Sequence, residues 1–335
     1  MHAVNRPPPA VVEADLWRGV WKLAGAETLA WAALHYAFTP LLGSVATELG
    51  TSTTWVAGAV SCSMVGAGLA APLASTALTR WGVRNTMTAA CTLGVFALAL
   101  LSQVTNRIQL FAAMFLIGIS QSGALYEAAF VGVVGWFDNA AQRARAVRRI
   151  TLVAGFAGTI ATPITGFLAV HAGWRTALAA WSAVLSVTAL PLFASLPTTH
   201  TVPLPTSVND GAAPRVGAWS LALALMAAAG TGVAALLVMA LVDGGLSLVD
   251  ASSLAGLVGV AQVAGRLGHP ALVTAVSLPR RLPGVLVVLA MATAGVVMLD
   301  GAGRVIMVLA YGAANGLVSI ERPLLVACLL YTSPS

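Results

Sequence analysis

The sequence contains few charged residues. Only 8% of its 335 residues are Asp, Glu, Lys or Arg, whereas 59% are hydrophobic. A soluble globular protein carries about 25% charged residues, so a soluble chain of this composition would lack a polar surface. The deficit excludes an ordinary soluble domain and indicates that most of the chain is surrounded by lipid.

Several motifs that carry chemistry are also missing from the sequence. The three cysteines, Cys62, Cys91 and Cys328, have neither disulfide nor metal-ligand spacing and lie in apolar segments, which favours a packing role. There is no glycine-rich phosphate loop followed by Lys and Ser or Thr, no metal-ligand cluster and no nucleophile elbow. We therefore expect no metal, no cofactor, no enzyme activity and no ATP-driven transport by this chain alone.

The positive charge of the chain does not indicate nucleic acid binding. The net charge is +6, but the basic residues are spread over short loops and do not form one continuous face. The N-terminus also lacks a short apolar core followed by a cleavage site, so we expect no cleaved signal peptide.

Long apolar runs are the main feature that is present. They are about 18–25 residues long, which as a helix crosses the hydrocarbon core of a bilayer. Barrel strands are about 10 residues long and alternate in polarity, which these runs do not. The sequence predicts an all-α bundle of about ten membrane-spanning helices, at residues 24–46, 56–78, 86–104, 109–134, 151–170, 177–196, 217–241, 251–276, 283–300 and 304–327.

Loop composition predicts the domain boundaries and the orientation. Residues 1–21 contain three consecutive prolines and are predicted to be a disordered cytoplasmic tail. The Pro-, Thr- and Ser-rich stretch 197–216 is predicted to be a cytoplasmic linker between a six-helix bundle, 22–196, and four further helices in 217–335. Most Arg and Lys residues lie in the tail and in the loops after even-numbered helices, so the N-terminus is predicted to be cytoplasmic. The Ala- and Arg-rich composition is typical of a GC-rich bacterial genome, which favours the bacterial inner membrane.

The loop after the second helix carries a resemblance to a known family. It runs from Ser75 to Arg84 and resembles the Gly-x-x-x-Asp-Arg-x-Gly-Arg-Arg motif of the major facilitator superfamily of secondary transporters. Arg80, Gly82 and Arg84 match that motif, whereas Ser75, Thr79 and Val83 replace its Gly, Asp and one Arg. A glycine between cations also has a physical role, because it turns the chain and holds the loop inside. The resemblance implies that the three matching residues belong to a conformational gate.

Helix 5 carries a second similarity to the family. Residues 158–167 resemble the Gly-x-x-x-Gly-Pro-x-x-Gly-Gly pattern of family antiporters: Gly158, Pro163 and Gly166 match, and Thr162 and Phe167 depart. The resemblance implies two pseudo-symmetric six-helix halves around a central path lined by helices 1, 4, 7 and 10, with alternating access. Only four helices follow the linker and the chain ends soon after Cys328. We therefore expect a truncated frame that lacks the last two helices.

Glu127 is the strongest candidate within the predicted path. An ionisable side chain in mid-membrane is costly and rare, so it suggests function. At helical spacing its face also carries Ser120, Gly123 and Ala124, which are small enough to border a water-filled path. The functional hypothesis is a carboxylate that binds and releases a proton or pairs with a cationic solute. The alternative is a structural carboxylate bonded to a neighbouring helix.

Arg266 is the second candidate, and three roles for it remain open. It shares a stripe with Gln262 and His269 and could bind a carboxylate or phosphate of the solute. It could equally pair with Glu127, or extend to the interface.

Polar stripes on helices 1 and 10 complete the predicted solute path. Trp31 and His35 on helix 1 share a face with Thr28 and Thr39, and Tyr311 and Asn315 on helix 10 share one with Ser319 and Arg322. The alternative is ordinary interhelical hydrogen bonding. The segment Gly312–Gly316 is predicted to serve close packing, and Glu27 is predicted to lie at the interface.

The sequence therefore predicts a monomeric secondary transporter of a small organic solute, of efflux or organic-anion type and coupled to protons. Its mainly apolar path suits an amphipathic solute better than a sugar. A membrane-embedded enzyme or a membrane sensor remains an alternative. An enzyme would need a cluster of polar groups near one membrane face, and a sensor would normally add a soluble domain.

Overall fold

The computed structural model describes residues 9–198 and 213–331. Every regular element within these two ranges is helical, as expected for a chain in lipid, where each backbone polar group must be bonded within its own segment. The α-helices are α1 (Pro9–Trp31), α2 (Leu42–Glu48), α3 (Thr53–Leu101), α4 (Arg107–Ala124), α5 (Tyr126–Trp136), α6 (Ala140–Ala154), α7 (Ala157–Val184), α8 (Leu190–Ala194), α9 (Ala213–Asp243), α10 (Leu248–Ala275), α11 (Leu278–Met298) and α12 (Gly301–Tyr331).

Within the described ranges, seven helical stretches are long and apolar enough to cross a membrane. Two of them, of 49 and 55 residues, are too long for a single crossing of a hydrocarbon core about 30 Å thick. Each is divided by a glycine of positive φ, Gly82 at +75° and Gly173 at +83°, a conformation that other residues rarely adopt. Together with the shorter apolar helix Ala228–Asp243, these stretches account for all the predicted membrane segments.

Helix α1 begins earlier than the sequence predicts. The predicted tail, residues 1–21, is helical from Pro9 onward, so that part of the prediction is wrong; residues 1–8 lie outside the described part. A proline is tolerated in the first turn because its missing N–H has no helical partner there. The early turns are held by aromatic contacts: the Trp17 and Phe137 rings are 4.9 Å apart, and the Arg149 guanidinium lies 4.6 Å from the Trp17 ring.

Two membrane-spanning segments are interrupted. After Trp31 the first segment continues as a π-helix, Ala32–Tyr36, and a 3-10 turn, Thr39–Leu41, that contains Pro40. The fourth segment breaks at Leu125, whose φ of −106° and ψ of −168° are extended. Irregular backbone at membrane depth is tolerated where protein or water covers it, so these positions are candidates for function.

The chain forms two compact units, each assembled from non-contiguous segments. Unit 1 comprises Met1–His35, Gly58–Ala154 and Leu178–Pro203, and unit 2 comprises Tyr36–Ala57, Gly155–Ala177 and Leu204–Ser335. The predicted division into residues 22–196 and 217–335 stays a prediction. Most of the predicted linker, 197–216, lies outside the described residues.

Close approach of α10 and α12 builds the core of unit 2. A Cβ added at Gly265 would lie 2.2 Å from the carbonyl oxygen of Ala313, and one added at Gly316 would lie 2.3 Å from that of Gln262. Both contacts are too short for any side chain, so only glycine permits the two backbones to come this near. A Cβ added at Gly312 would likewise lie 2.7 Å from the carbonyl oxygen of Val258. The packing role predicted for Gly312–Gly316 is therefore confirmed.

Candidate functional site

Glu127 lies at the start of a helix. The sequence places it in mid-helix, but α4 ends at Ala124 and α5 begins at Tyr126, so Glu127 occupies the first turn of α5. The unpaired N–H groups of a first turn favour a nearby negative charge. Its side chain is exposed, and an ionised group within a membrane-spanning segment is expected to face water or protein rather than lipid.

Glu27 is a second acid that the sequence analysis assigned wrongly. It is predicted at the interface because it lies close to the expected membrane edge, but its side chain is 0% exposed. Among the described residues, no donor of normal hydrogen-bond geometry reaches either carboxylate oxygen. The Trp31 indole and the Glu127 carboxylate are close enough to interact with it electrostatically. Unit 1 therefore contains a pair of neighbouring acids.

Aromatic rings connect the two helices that carry these acids. Trp31, one helical turn after Glu27, has its ring centroid 4.8 Å from that of Tyr126, the residue before Glu127. His35 contacts Trp31 at 5.1 Å, and Phe130 stacks on Tyr126 at 5.4 Å. All four rings are half-buried. We call Glu27, Glu127, Trp31, His35, Tyr126 and Phe130 the acid–aromatic cluster.

A hydrogen bond fixes the irregular backbone beside this cluster. The Gln121 side-chain amide donates to the carbonyl oxygen of Leu34 in the π-helical turn, at 2.7 Å. Gln121 lies one turn before the break at Leu125, so it connects the two interruptions. The polar backbone atoms that an irregular turn exposes must find partners in a membrane, and Gln121 supplies one.

Ser120 occupies a packed position. Its side chain is fully buried, and its hydroxyl donates to the carbonyl oxygen of Ala90 at 2.7 Å. Gly123 on the same face would bring an added Cβ to 2.9 Å from Ala90. The small stripe predicted to border the path therefore packs α4 against α3, which favours the structural interpretation of Ser120.

Arg266 belongs to a polar group in unit 2. It is half-buried, and its Nε donates to the Ser319 hydroxyl at 3.1 Å. Tyr36 interacts with both Arg266 and Gln262. This residue ends the π-helix that follows α1, and it is not among the residues of the predicted polar stripes. Pairing of Arg266 with Glu127 stays a prediction, since the two residues belong to different units.

The other candidates on α12 differ in burial. Tyr311 is 2% exposed and belongs to the core of unit 2, where its hydroxyl donates to the Gly230 carbonyl oxygen at 3.4 Å. This placement favours packing. Asn315 is half-buried, and its contact with a solute stays a prediction. The side chain of Arg322 lies outside the described residues.

A buried ion-pair network in unit 2 was missed by the sequence analysis. Glu321 on α12 is 1% exposed and accepts two hydrogen bonds from Arg281 on α11, which is 7% exposed. His269 on α10, which is predicted to share a stripe with Arg266, contacts Glu321 at 2.9 Å. Glu321 is thus a buried acid whose charge is compensated. No group of three or more metal-binding side chains occurs in the described part of the chain.

Comparison with known protein families identifies the family of this helical bundle. A family model described as the Major Facilitator Superfamily matches residues 27–334. The chain belongs to the major facilitator superfamily. The predicted family and all-α fold are therefore confirmed, and the chain is a multi-pass membrane transporter of a small-molecule solute rather than an enzyme. A search of curated proteins returns no match.

Solved structures of the superfamily share this fold. A crystal structure of the nucleoside transporter NupG aligns with a TM-score of 0.72 at 12% identity over 96% of this chain and 84% of that one. The D-xylose-proton symporter aligns with a TM-score of 0.66 at 15% identity over 90% and 80%. A bacterial homolog of the human lysosomal transporter Spinster aligns with a TM-score of 0.68 at 15% identity over 94% and 78%.

The superfamily loop motif has a clear local structure. Gly82 makes the turn that divides α3, so the turn predicted from the sequence is confirmed. Arg80 is exposed and Arg84 is half-buried. Within the described ranges neither guanidinium forms a hydrogen bond or an ion pair, and their role in a gate stays a prediction.

The superfamily motif in helix 5 lies at packed positions in unit 2. A Cβ added at Gly166 would approach the Ser252 hydroxyl to 2.3 Å, and one at Gly158 would approach the Tyr36 ring to 3.2 Å. Pro163 lies against Gly256, where an added Cβ would meet its Cδ at 3.2 Å. The motif therefore lets α7 approach α10 and the first segment, and any further role in transport stays a prediction.

Proposed function

We propose that this superfamily member is a proton-coupled secondary transporter of a small amphipathic organic solute. It works by alternating access in a bacterial inner membrane, with its N-terminus in the cytoplasm and as a monomer. The similar solved structures carry nucleoside- and xylose-transporter names, but identities of 12–15% support only a common fold for this chain.

The observation that carries this proposal is the pair of neighbouring acids, Glu27 and Glu127, in membrane-spanning helices. Two like charges repel strongly where water is scarce, and an isolated buried carboxylate is costly. The pair is stabilised when one carboxylate takes up a proton. Binding and release of that proton then alternate with the conformational cycle, which is the basis of coupling.

The position of the acids at helix interruptions supports the same proposal. Secondary transporters often bind ions and solutes where membrane helices are discontinuous. Glu127 follows the break at Leu125, and Trp31 immediately precedes the π-helix at Ala32. Glu127 therefore lies directly after one interruption, and Glu27 lies one turn before Trp31, the last residue ahead of the other.

Arg266 is a candidate for binding an anionic group in unit 2. It is half-buried, and a guanidinium presents a planar fork of N–H groups whose geometry matches a carboxylate or phosphate. Its Nε bond to Ser319 holds one side of that fork in place. We infer that Arg266 contacts the solute during the cycle.

The test uses purified protein in lipid vesicles that enclose a pH-sensitive dye. A panel of small organic solutes with positive, zero or negative charge is added outside, and the internal pH and solute uptake are recorded. We expect uphill uptake that depends on an imposed pH gradient. Glu127→Gln should abolish that uphill uptake, because the amide cannot bind and release the coupling proton.

Asp15→Asn is the matched control, since Asp15 is an acid on the exposed end of α1 with a side chain 59% exposed. This variant should transport normally. Uptake without any proton movement, or uphill uptake that persists in a stable Glu127→Gln protein, would contradict proton coupling through Glu127.

A further inference from the structure

We propose that the transported solute is a lipophilic organic cation, bound by the Glu27 and Glu127 carboxylates against the rings of Trp31 and Tyr126. This inference rests on the proposed transport function and adds the charge and the chemical class of the solute. The binding residues belong to helix 1 and to α5 within unit 1.

The first step concerns the two carboxylates of the acid–aromatic cluster, whose negative charge is not compensated by a described cation. Neither Glu27 nor Glu127 forms an ion pair with another described residue, and Glu27 lacks any hydrogen bond of normal geometry there. Glu321 provides an internal comparison, because this equally buried acid is bonded to Arg281 and His269. A buried acid is normally paired. Among the described residues, Glu321 therefore has permanent partners, whereas the Glu27–Glu127 pair is left for an exchangeable cation.

The second step is the nature of the surrounding surface. Trp31 and Tyr126 are in ring contact, and Phe130 extends the stack. Aromatic faces attract cations, and the attraction is greatest where the cation is poorly hydrated. A ring surface beside two carboxylates thus favours a cation that carries its own apolar groups, such as a quaternary ammonium or phosphonium ion.

The third step excludes small hydrated ions and sugars as the best occupants. A metal ion such as Ca²⁺ needs six or more oxygen ligands, and no metal-binding group of three side chains occurs within the described residues. A sugar needs many hydrogen-bonding partners. The residues beside the acids, Ala30, Ala124 and Ala128, are instead buried and apolar.

Competition between the organic cation and a proton for the same carboxylates also explains how one site couples solute transport to proton movement. Organic cation and proton are both positive charges that neutralise the same carboxylates, so the binding of one favours the release of the other. His35 and Tyr126 are the other titratable side chains of the acid–aromatic cluster, and both adjoin Trp31.

The experiment measures equilibrium binding of two probes of the same size and shape but opposite charge. Purified protein in detergent is titrated with tetraphenylphosphonium, the cation, and with tetraphenylborate, the anion. We expect specific saturable binding of tetraphenylphosphonium only. Glu27→Gln and Glu127→Gln should each weaken that binding by about tenfold or more, and Trp31→Ala should weaken it more than Trp31→Phe.

Controls separate loss of the site from loss of the fold. Trp55→Ala removes a tryptophan that is 53% exposed and distant in sequence from the cluster, and should leave binding unchanged. If Glu27→Gln lowers the unfolding temperature, the exposed Glu127→Gln variant supplies the test instead. Equal binding of both probes, or tetraphenylphosphonium binding unaffected in folded acid variants, would overturn the proposal.

Transport measurements in vesicles distinguish failure of the cationic-solute proposal from failure of the proposed proton-coupled transport. Proton-coupled uptake of a neutral or anionic solute, without tetraphenylphosphonium binding, would overturn the cationic solute and retain proton-coupled transport. Tetraphenylphosphonium binding that depends on both acids, without proton movement, would support the site and contradict the coupling.

Discussion

At the scale of single residues, Glu27 and Glu321 show that burial alone does not define a functional acid. Both are almost completely inaccessible, but Glu321 has Arg281 and His269 as partners, whereas Glu27 has a second acid nearby. A paired buried charge can be structural, while an unpaired one has a free-energy cost that suggests a ligand or a proton. The distinction depends on partners from distant parts of the sequence.

The compensated acid leads to a prediction about stability. Glu321→Gln would leave the Arg281 guanidinium buried without its counter-charge, so it should lower the free energy of unfolding by about 3–5 kcal/mol. Arg281→Gln in the same chain should restore part of the loss. The measurement is the thermal unfolding midpoint of the purified protein in detergent.

An exposed ion pair provides the comparison. Arg18 and Asp15 are joined at 2.8 Å, but their side chains are 75% and 59% exposed, so Asp15→Asn should change stability by less than about 1 kcal/mol. If Glu321→Gln were as mild as Asp15→Asn, the network of Glu321 would not hold α11 and α12 together as inferred.

Sequence reasoning selected one acid of the cluster and missed the other. Glu127 stands out because charge is rare in an apolar run, whereas Glu27 is predicted at the interface because it lies close to the expected membrane edge. A useful signal was available: Glu27 precedes Trp31 by four residues, so both share a helix face, and Trp31 was already a candidate. The proximity of Glu27 to Glu127 on α5 could not be predicted, because local spacing does not determine which helices pack against each other.

At the scale of elements, glycine turns were predictable and helix breaks were not. Gly82 was recognised as a turn from its neighbouring cations, and its φ of +75° confirms this. The break at Leu125 carries no proline, and leucine is a good helix former. Contacts with other helices decide such a break, and the hydrogen bond from Gln121 to Leu34 is one of them.

Small residues between α10 and α12 give a prediction with a matched pair of variants. Gly265→Ala would place a Cβ 2.2 Å from the Ala313 carbonyl oxygen, so the helices must separate, at a cost of about 1–3 kcal/mol. Gly268→Ala, three residues later on α10, meets nothing within 4 Å and should be neutral or slightly stabilising. Thermal unfolding of the two variants measures the difference.

The comparison between these alanines isolates packing from helix propensity, because both replace a glycine in the same helix. Equal stability of the two variants would show that α10 and α12 are not in close backbone contact. A loss in Gly268→Ala alone would indicate an unrecognised contact on the opposite face of α10.

At the scale of the whole molecule, composition was sufficient to predict the class of protein. The deficit of charge and the lengths of the apolar runs required a helical membrane bundle, and the two motif regions indicated the superfamily. The solute could not be predicted in the same way. Solved structures named for nucleoside and xylose transport share this fold at 12% and 15% identity, so solute choice depends on a few side chains rather than on the architecture.

Orientation is the last prediction at this scale. The clustering of Arg143, Arg145, Arg148 and Arg149 on α6 favours a cytoplasmic location for that helix, because basic loops are retained inside. α9 ends at Asp243, on the side that the same rule places outside. The sites for the test must be accessible: Ala144 and Asp243 are exposed, whereas Ala146 is fully buried.

Single cysteines at Ala144 and Asp243, in a chain whose three natural cysteines are replaced, should therefore react from opposite sides. A membrane-impermeant thiol reagent added to intact cells should label Ala144→Cys only after the membrane is opened, and Asp243→Cys without opening. Gly245 is unsuitable because its φ of +91° would strain any replacement. Labelling of Ala144→Cys in intact cells would invert the topology. The acid–aromatic cluster, which follows the first turns of α1, would then lie nearer the outer surface, and the expected direction of proton entry would reverse with it.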